Sequence, residues 1–455
     1  MGCTAASISC LVSLISNAAS SLETYYTANS TRPYVPSLDD TEPHPLDNEI
    51  YPLDVRQAAQ TLEGACAQLC ATLVRPNHTI LNKHLDVYQN AYLSAILRAQ
   101  IADILLDEPA GLSVSEISKR CNISEKKLSR VLRTLDSQHI FREVSKDTFA
   151  NNRLSMLLLS SDPLASMGLH VSDEPTNKAA THLVDTLLDP EWGHSNAPER
   201  APFNRAFGAP IPIWHYFEGN NDPKAAEQGA RFGKAMIGWN ATCDSYAIAT
   251  SYPWGKLHDG AIVNDVGGGW GHISMELESW PKECPQAIAD GKIEFKFVDL
   301  FVESPIANCD IYLLKNVIHL MPDKAATTAL SNVRKVMAAT SRVLVRESDF
   351  MILHLKPIDA RLSPKTEDYI MQGGVRVPDN ECNLKQAQPP LLPNYGGGRI
   401  RQYRTDAAMM VLCNSQERTL DDFIQLGRIA GLEFVKVWDL GEIGAVEFAP
   451  GSIEK

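Results

Sequence analysis

Ala261-Ile262-Val263-Asn264-Asp265-Val266-Gly267-Gly268-Gly269-Trp270-Gly271 is the stretch on which the fold turns. A short apolar run ends in an acidic residue, and four glycines follow within five positions. His272-Ile273-Ser274-Met275-Glu276-Leu277 then carries a helical pattern. Glycine lets a backbone turn sharply and lie against a ligand with no Cβ in the way. The helix start behind it presents N–H groups without intrahelical partners. Strand, glycine turn and helix in that order predict a ligand cradle at the carboxyl end of a first parallel strand. A dinucleotide fingerprint, G-x-G-x-x-G, would require glycine where His272 stands, so the spacing excludes it.

Composition narrows the class. At 455 residues the chain is long enough for two or three domains. A hydrophobic content of 44% and a charged content of 21% describe an ordinary globular protein. The net charge of −13 argues against a general nucleic-acid binder, which needs a basic face. Ten cysteines include no C-x-x-C pair, which argues against a zinc site and fits reduced thiols in a cytoplasmic protein. No apolar stretch is long enough to cross a bilayer. Met1-Gly2-Cys3-Thr4-Ala5-Ala6-Ser7 places its hydroxyl one position late for myristoylation, and Ile8 to Ile15 lacks the basic residue that opens a signal peptide. An amphipathic N-terminal helix is expected there.

Working outward, residues 30 to 55 are proline-rich and acidic and are expected to form a tether. From Val55 to Asp107 apolar residues recur at helical spacing, as in Tyr92, Leu93, Ile96, Leu97, Ile101, Ile104 and Leu105. Ser113 and Glu116 are spaced as a capping box, and Ser124 is expected to cap a second helix with the apolar face Leu128, Val131, Leu132 and Leu135. A hairpin over 140–150 completes a winged helix-turn-helix. Lys126, Lys127, Arg130 and Arg133 lie on the second helix, so DNA reading competes with packing, and the acidic chain favours packing. Residues 155 to 250 predict connecting helices rich in aromatics, among them Phe203, Phe207, Trp214, Tyr216, Phe217, Phe232 and Trp239. Such a series is usually core; part of it, with Met236 and Trp239 as candidates, is expected to roof a pocket for a flat substrate. Beyond 261, strands at Ile262–Val266, Ile293–Val298, Ile311–Leu314, Arg342–Glu347 and Glu433–Val437 alternate with helices near Trp270–Ser279, Asp323–Ala339 and Leu420–Ala430. That alternation predicts an α/β domain with a parallel sheet.

Four further segments follow the glycine turn in order: Phe297-Val298-Asp299-Leu300-Phe301, Asp310 to His319, Arg342 to Glu347, and Met409 to Thr419 with its Asn414-Ser415-Gln416-Glu417-Arg418-Thr419 end. Together with the winged helix they resemble the caffeate-type class I S-adenosylmethionine (SAM)-dependent O-methyltransferases, most closely those of fungal secondary metabolism. The resemblance spans roughly residues 85 to 455. It implies a Rossmann-like methyltransferase sheet behind an α-helical winged-helix dimerisation domain, with residues 1–55 as helix and tether, 56–175 as the dimerisation domain and 176–455 as the catalytic domain. It implies SAM as methyl donor, a small aromatic substrate and a cytoplasmic enzyme with no metal; the run Tyr92 to Leu105 and the face Leu128–Leu135, with more apolar surface than one small winged domain can bury alone, predict a homodimer built by the N-terminal helices. It further implies His319 as catalytic base, flanked by Glu347 and Glu417. Asp265, Gly267, Gly268, Gly269 and Gly271, with Asp299, Leu300 and Lys315, would line the SAM pocket. The chemistry suits these types: a phenol, pKa about 10, is a poor nucleophile until a positioned imidazole takes its proton, and a carboxylate beside the imidazole fixes its tautomer.

The chain departs from the family pattern at three places. His319-Leu320-Met321 stands where the family has His-Asp-Trp. Between Leu277 and Lys292 there is no room for the second β–α unit, and its absence removes the carboxylate expected to bind ribose; Glu283 and Asp290 are the candidates to replace it, though neither sits at a strand end. Residues 353 to 386 form an insertion. These departures raise a second expectation, a methyltransferase fold that binds a ligand or templates a cyclisation or rearrangement without methyl transfer.

Overall fold

The structure is a computed structural model that describes residues 8–219, 222–243, 247–267, 296, 298–347, 387–392, 394–440 and 442–451. Helix α1 (Ile8–Thr27) is the amphipathic N-terminal helix, with Leu11 and Ala18 buried on its inner face. The proline-rich run that follows holds only a short 3-10 turn, Pro45–Asn48, before α2 (Leu53–Leu73). Helix α2 packs on α1 and on the Gly396–Arg399 turn. A Cβ at Gly398 would lie 2.1 Å from the Gln60 carbonyl oxygen, so only glycine lets helix and turn meet. The buried Arg56–Asp439 pair, 3.4 Å apart, ties the start of α2 to the end of the strand Leu432–Asp439.

Helices α3 (Pro76–Leu85), α4 (Val87–Arg98) and α5 (Ile101–Ile104) lead into the winged unit. It consists of β1 (Leu112–Ser113), α6 (Val114–Cys121), α7 (Glu125–Asp136), β2 (Arg142–Ser145) and β3 (Thr148–Ala150), the strands pairing antiparallel in the order β1-β3-β2. The Ser113 hydroxyl accepts the Glu116 N–H at 3.3 Å, as its spacing predicts. Ser124 occupies the cap position of α7 but its side chain makes no capping bond, a correction to the expectation. Leu128, Leu132 and Leu135 are buried against Ile96, Ile101, Leu105, Phe141 and Phe149. The apolar runs of α4–α5 and α7 are therefore consumed within the chain. Free apolar surface lies instead on α3 and the start of α4, where Ile80, Leu81, Leu85, Val87 and Tyr88 are exposed.

Helix α8 (Pro163–Ser172) packs along α9 (Pro223–Thr242), with shorter helices between them over 176–217. The aromatic series condenses here: Phe203 and Phe217 are buried, flanked by Phe207, Trp214, Tyr216 and Phe232, and the rings of Phe217 and Phe232 stack at 5.4 Å.

The second sheet runs β4-β5-β6-β8-β7, formed by β4 (Val263–Asp265), β5 (Ile311–Lys315), β6 (Arg342–Glu347), β7 (Leu432–Asp439) and β8 (Gly444–Pro450). Strands β4, β5 and β6 are parallel, whereas β8 is antiparallel to both β6 and β7. The all-parallel expectation is corrected for a simple reason: the link over 440–443 is far too short for a parallel crossover. Helices α10 (Asp323–Val336) and α12 (Leu420–Ile429) cover one face, seating Leu330, Val333, Phe423 and Ile424 in a core with Val343, Val345 and Phe448. Helix α11 (Ile400–Cys413) precedes α12. The helix expected at Trp270–Ser279, the strand at Ile293–Val298, the short segment between Leu277 and Lys292 and the 353–386 insertion lie outside or almost wholly outside the described residues. Among the described residues β4 and β7 are the two edges of the sheet, and Val263 of β4 and Ile262 just before it are exposed.

Candidate active site

The carboxyl ends of β4, β5 and β6 converge. Strand β5 ends at Lys315, and Asn316 adopts a left-handed conformation (φ 52°) that breaks the strand while its N–H still bonds to the Arg346 carbonyl at 2.9 Å. The chain then coils into a 3-10 turn, Ile318–Leu320, which carries His319. Glu347, the last residue of β6, holds this turn: its Oε1 accepts the N–H groups of Val317 (3.1 Å) and Ile318 (2.8 Å). Glu417 arrives from the α11–α12 connection. Its N–H bonds to Asp406 Oδ1 at 2.9 Å, and Thr419 two residues on caps α12 through reciprocal bonds with Asp422.

These elements bring His319, Glu347 and Glu417 together, as their order in the sequence implies. The His319 Nδ1 lies 2.6 Å from Glu417 Oε1 and 3.4 Å from Glu347 Oε2. All three side chains are buried, both carboxylates completely. Nδ1 therefore faces the carboxylates and Nε2 is the nitrogen left for a reacting group. Burial alone would pull the imidazole pKa down, but the charges of Glu417 and Glu347 outweigh it and lift it to about 9. Burial pushes the Glu347 carboxyl up to about 7, with His319 opposing and Glu417 reinforcing the rise.

Their ligand atoms fall within 4.8 Å of one another, so a cation must be weighed against a proton. Ligands at about 2.1 Å from a tetrahedral ion sit roughly 3.4 Å apart. The 2.6 Å Nδ1–Oε1 separation is that of a charge-assisted hydrogen bond, so the arrangement is built to hold a proton.

Around the cluster, Arg418 is fully buried and donates to the carbonyls of Ile318 (2.8 Å) and Met321 (2.7 Å) and to Asp323 Oδ1 (2.9 Å). Neither this role nor that of Asp406 was assigned from the sequence; the one available signal was the position of Arg418 beside Glu417. Leu320, next to His319, packs against an apolar cluster that includes Phe203, Phe217, Val411 and Leu412. Met236 and Trp239 are half-buried, one turn apart on α9.

The described cofactor candidates gather at the same edge. Gly267 has φ 76°, and a Cβ there would come within 2.9 Å of the Val317 side chain and 3.5 Å of Leu300. The glycine turn thus presses against the His319 segment, and Gly267, Leu300 and Val317 form one wall. Asp265 ends β4, and Lys315 ends β5 half-buried. The buried Asn316 Oδ1 has no hydrogen-bond partner among the described residues, which leaves an acceptor for a ligand at this edge. Asp299 is exposed, with one carboxylate oxygen accepting the Phe301 N–H at 2.9 Å. Gly268, Gly269 and Gly271 lie outside the described residues. The part described fits a nucleoside-type methyl donor such as SAM.

Comparison with known proteins converges on one family. The family described as the O-methyltransferase dimerisation domain matches residues 55–161. A relative from Phanerochaete chrysosporium named 3-O-methyltransferase 2 is 36% identical over 98% of both chains. O-methyltransferase gedA of Aspergillus terreus is 28% identical over 84% of each. Among solved structures, LepI in complex with SAM superposes with a TM-score of 0.62 over 96% of this chain and 99% of that one; its 15% identity shows a shared fold.

Proposed function

The chain belongs to the class I SAM-dependent O-methyltransferases, and from that premise we propose that it methylates a hydroxyl of a phenolic or enolic small molecule of secondary metabolism, with His319 as general base. The 2.6 Å bond from His319 Nδ1 to Glu417 carries this proposal, because it fixes the ring with Nε2 free to receive a proton. SAM, when bound, supplies an electrophilic methyl group. Everything else falls to the chain's own residues. A base of pKa about 9 lies within about one unit of a phenol, so proton transfer between them is close to thermoneutral. Glu417 and Glu347 stabilise the imidazolium that results. The aromatic cluster beside Leu320 supplies an apolar wall that fits a flat substrate and excludes water; Met236 and Trp239 are assigned to the same wall.

Asp265, Gly267 to Gly269, Gly271, Asp299, Leu300 and Lys315 are assigned to the methyl-donor pocket, supported by the wall that Gly267 and Leu300 form with Val317. The domain limits 56–175 and 176–455 are kept as part of the proposal. A homodimer is proposed on the exposed apolar face of α3 and α4 within the matched dimerisation region. In the winged unit Arg133 pairs with Glu143 and Asp147, so part of the basic set on α7 is engaged in the fold. The intact His319 cluster speaks against a fold retained without methyl transfer.

Incubation with SAM labelled in its methyl group and a panel of phenols tests the proposal. Label is expected on an oxygen of at least one phenol. A chain that binds SAM yet labels no phenolic or enolic hydroxyl would contradict the substrate class.

A further inference from the structure

We propose that Arg418 is a positioning residue that sets His319 against Glu417, an inference that rests on the base role given above. The 3-10 turn that carries His319 has three residues and closes on itself through two long backbone bonds, Leu320 N–H to the Val317 carbonyl at 3.2 Å and Met321 N–H to the Ile318 carbonyl at 3.3 Å. The residue after His319 is Leu320, whose side chain packs against an apolar cluster, and Pro322 has no N–H to donate. Beyond those backbone bonds, neither the Leu320 side chain nor Pro322 gives the turn polar support.

Arg418 supplies that support from the other side. Its Nη1 and Nη2 hold the carbonyls of Ile318 and Met321, which bracket His319, and its Nε holds Asp323 at the head of α10. The guanidinium is a rigid planar fork with five donors, so three bonds at 2.7–2.9 Å fix both the height and the tilt of the turn. Arg418 is also bonded in sequence to Glu417. One side chain thus registers two segments whose reactive groups stand 98 residues apart.

Its charge has a second effect. His319 faces Glu347 from β6 and Glu417 from the α11–α12 connection, with Asp406 of α11 behind Glu417 and Asp323 beyond Arg418. Against these carboxylates Arg418 is the positive group that opposes proton uptake by the imidazole.

The test compares Arg418→Lys, Arg418→Met, Asp323→Ala and His319→Ala in the full chain, reading kcat, KM, SAM binding by calorimetry and the pH–rate profile. Arg418→Lys keeps the charge and loses the fork. It is expected to lower kcat by roughly 10- to 10²-fold, the scale of misplacing a catalytic group by about 1 Å, with KM and SAM binding little changed. The acidic limb of its profile should stay in place. Arg418→Met should lose as much kcat and shift that limb to higher pH, because the opposing charge is gone. Asp323→Ala, at a side chain 64% exposed, should fold normally and show a smaller loss of kcat at unchanged KM. Wild-type kcat and profile in Arg418→Lys, beside an inactive His319→Ala, would overturn the inference and leave the base role standing. Loss of folded protein with normal activity per folded molecule would overturn it equally. Should neither Arg418 variant fold, an unchanged kcat in Asp323→Ala overturns it. A fully active His319→Ala would instead remove the base role on which it rests.

Discussion

His319 meets both carboxylates through one nitrogen, and that geometry sets its pH behaviour. With the imidazole pKa lifted to about 9, roughly one molecule in a hundred holds the free base at pH 7. The base works only when deprotonated, so kcat/KM is expected to rise with pH and level off above about 9. Glu417→Gln removes a charge that raises the pKa, so its acidic limb should move to lower pH while its plateau falls, the ring being less well held. The ratio of wild-type to variant rate should therefore be small at pH 7 and larger at pH 9. A Glu417→Gln limb that moves to higher pH would show that another group titrates. Glu347→Gln should also lower the limb; it keeps an acceptor for the Val317 and Ile318 N–H groups, so circular dichroism should show the fold retained.

At the level of elements, the proposed catalytic set was legible because each member sits at a strand end or helix start that sequence marks plainly: His319 after the apolar strand Ile311–Lys315, Glu347 at the end of Arg342–Glu347, Glu417 just before a capping Thr419. Strand β8 was not legible. Gly444-Ala445-Val446-Glu447-Phe448-Ala449-Pro450 has no alternation, because the strand is central in the sheet and its first five residues are all buried. The support by Arg418 was hidden for a different reason: its partners are backbone carbonyls, which no residue type announces. The apolar runs Tyr92–Leu105 and Leu128–Leu135 are largely covered within the chain, because helical periodicity records that a face is apolar, not which neighbour covers it. The glycine turn makes its own prediction. Gly267→Ala must force a left-handed backbone, at about 1–2 kcal/mol, and push a methyl group into Val317, 2.9 Å away. It should lower the thermal midpoint and weaken SAM binding in calorimetry; a variant with both unchanged would mean that the turn is not pressed against the His319 segment.

On the scale of the whole molecule, the N-terminal helices, the winged unit and the sheet make one chain in which α2 reaches the Gly396–Arg399 turn before α11, and α11 leads on to Glu417. The face of α3 and α4 remains uncovered, with Ile80 58% and Leu81 55% exposed, on a region matched to a dimerisation domain. Sedimentation should find a dimer at micromolar concentration, and Ile80→Glu with Leu81→Glu should yield a folded monomer; a wild-type monomer would remove the proposed assembly. The central claim is that His319 takes the proton of the accepting hydroxyl, and single-turnover transfer of labelled methyl by His319→Ala tests it most directly. The account predicts a rate lowered by roughly 10² or more, with SAM affinity nearly that of the wild type and the fold intact. A His319→Ala protein that transfers methyl at the wild-type rate would contradict it.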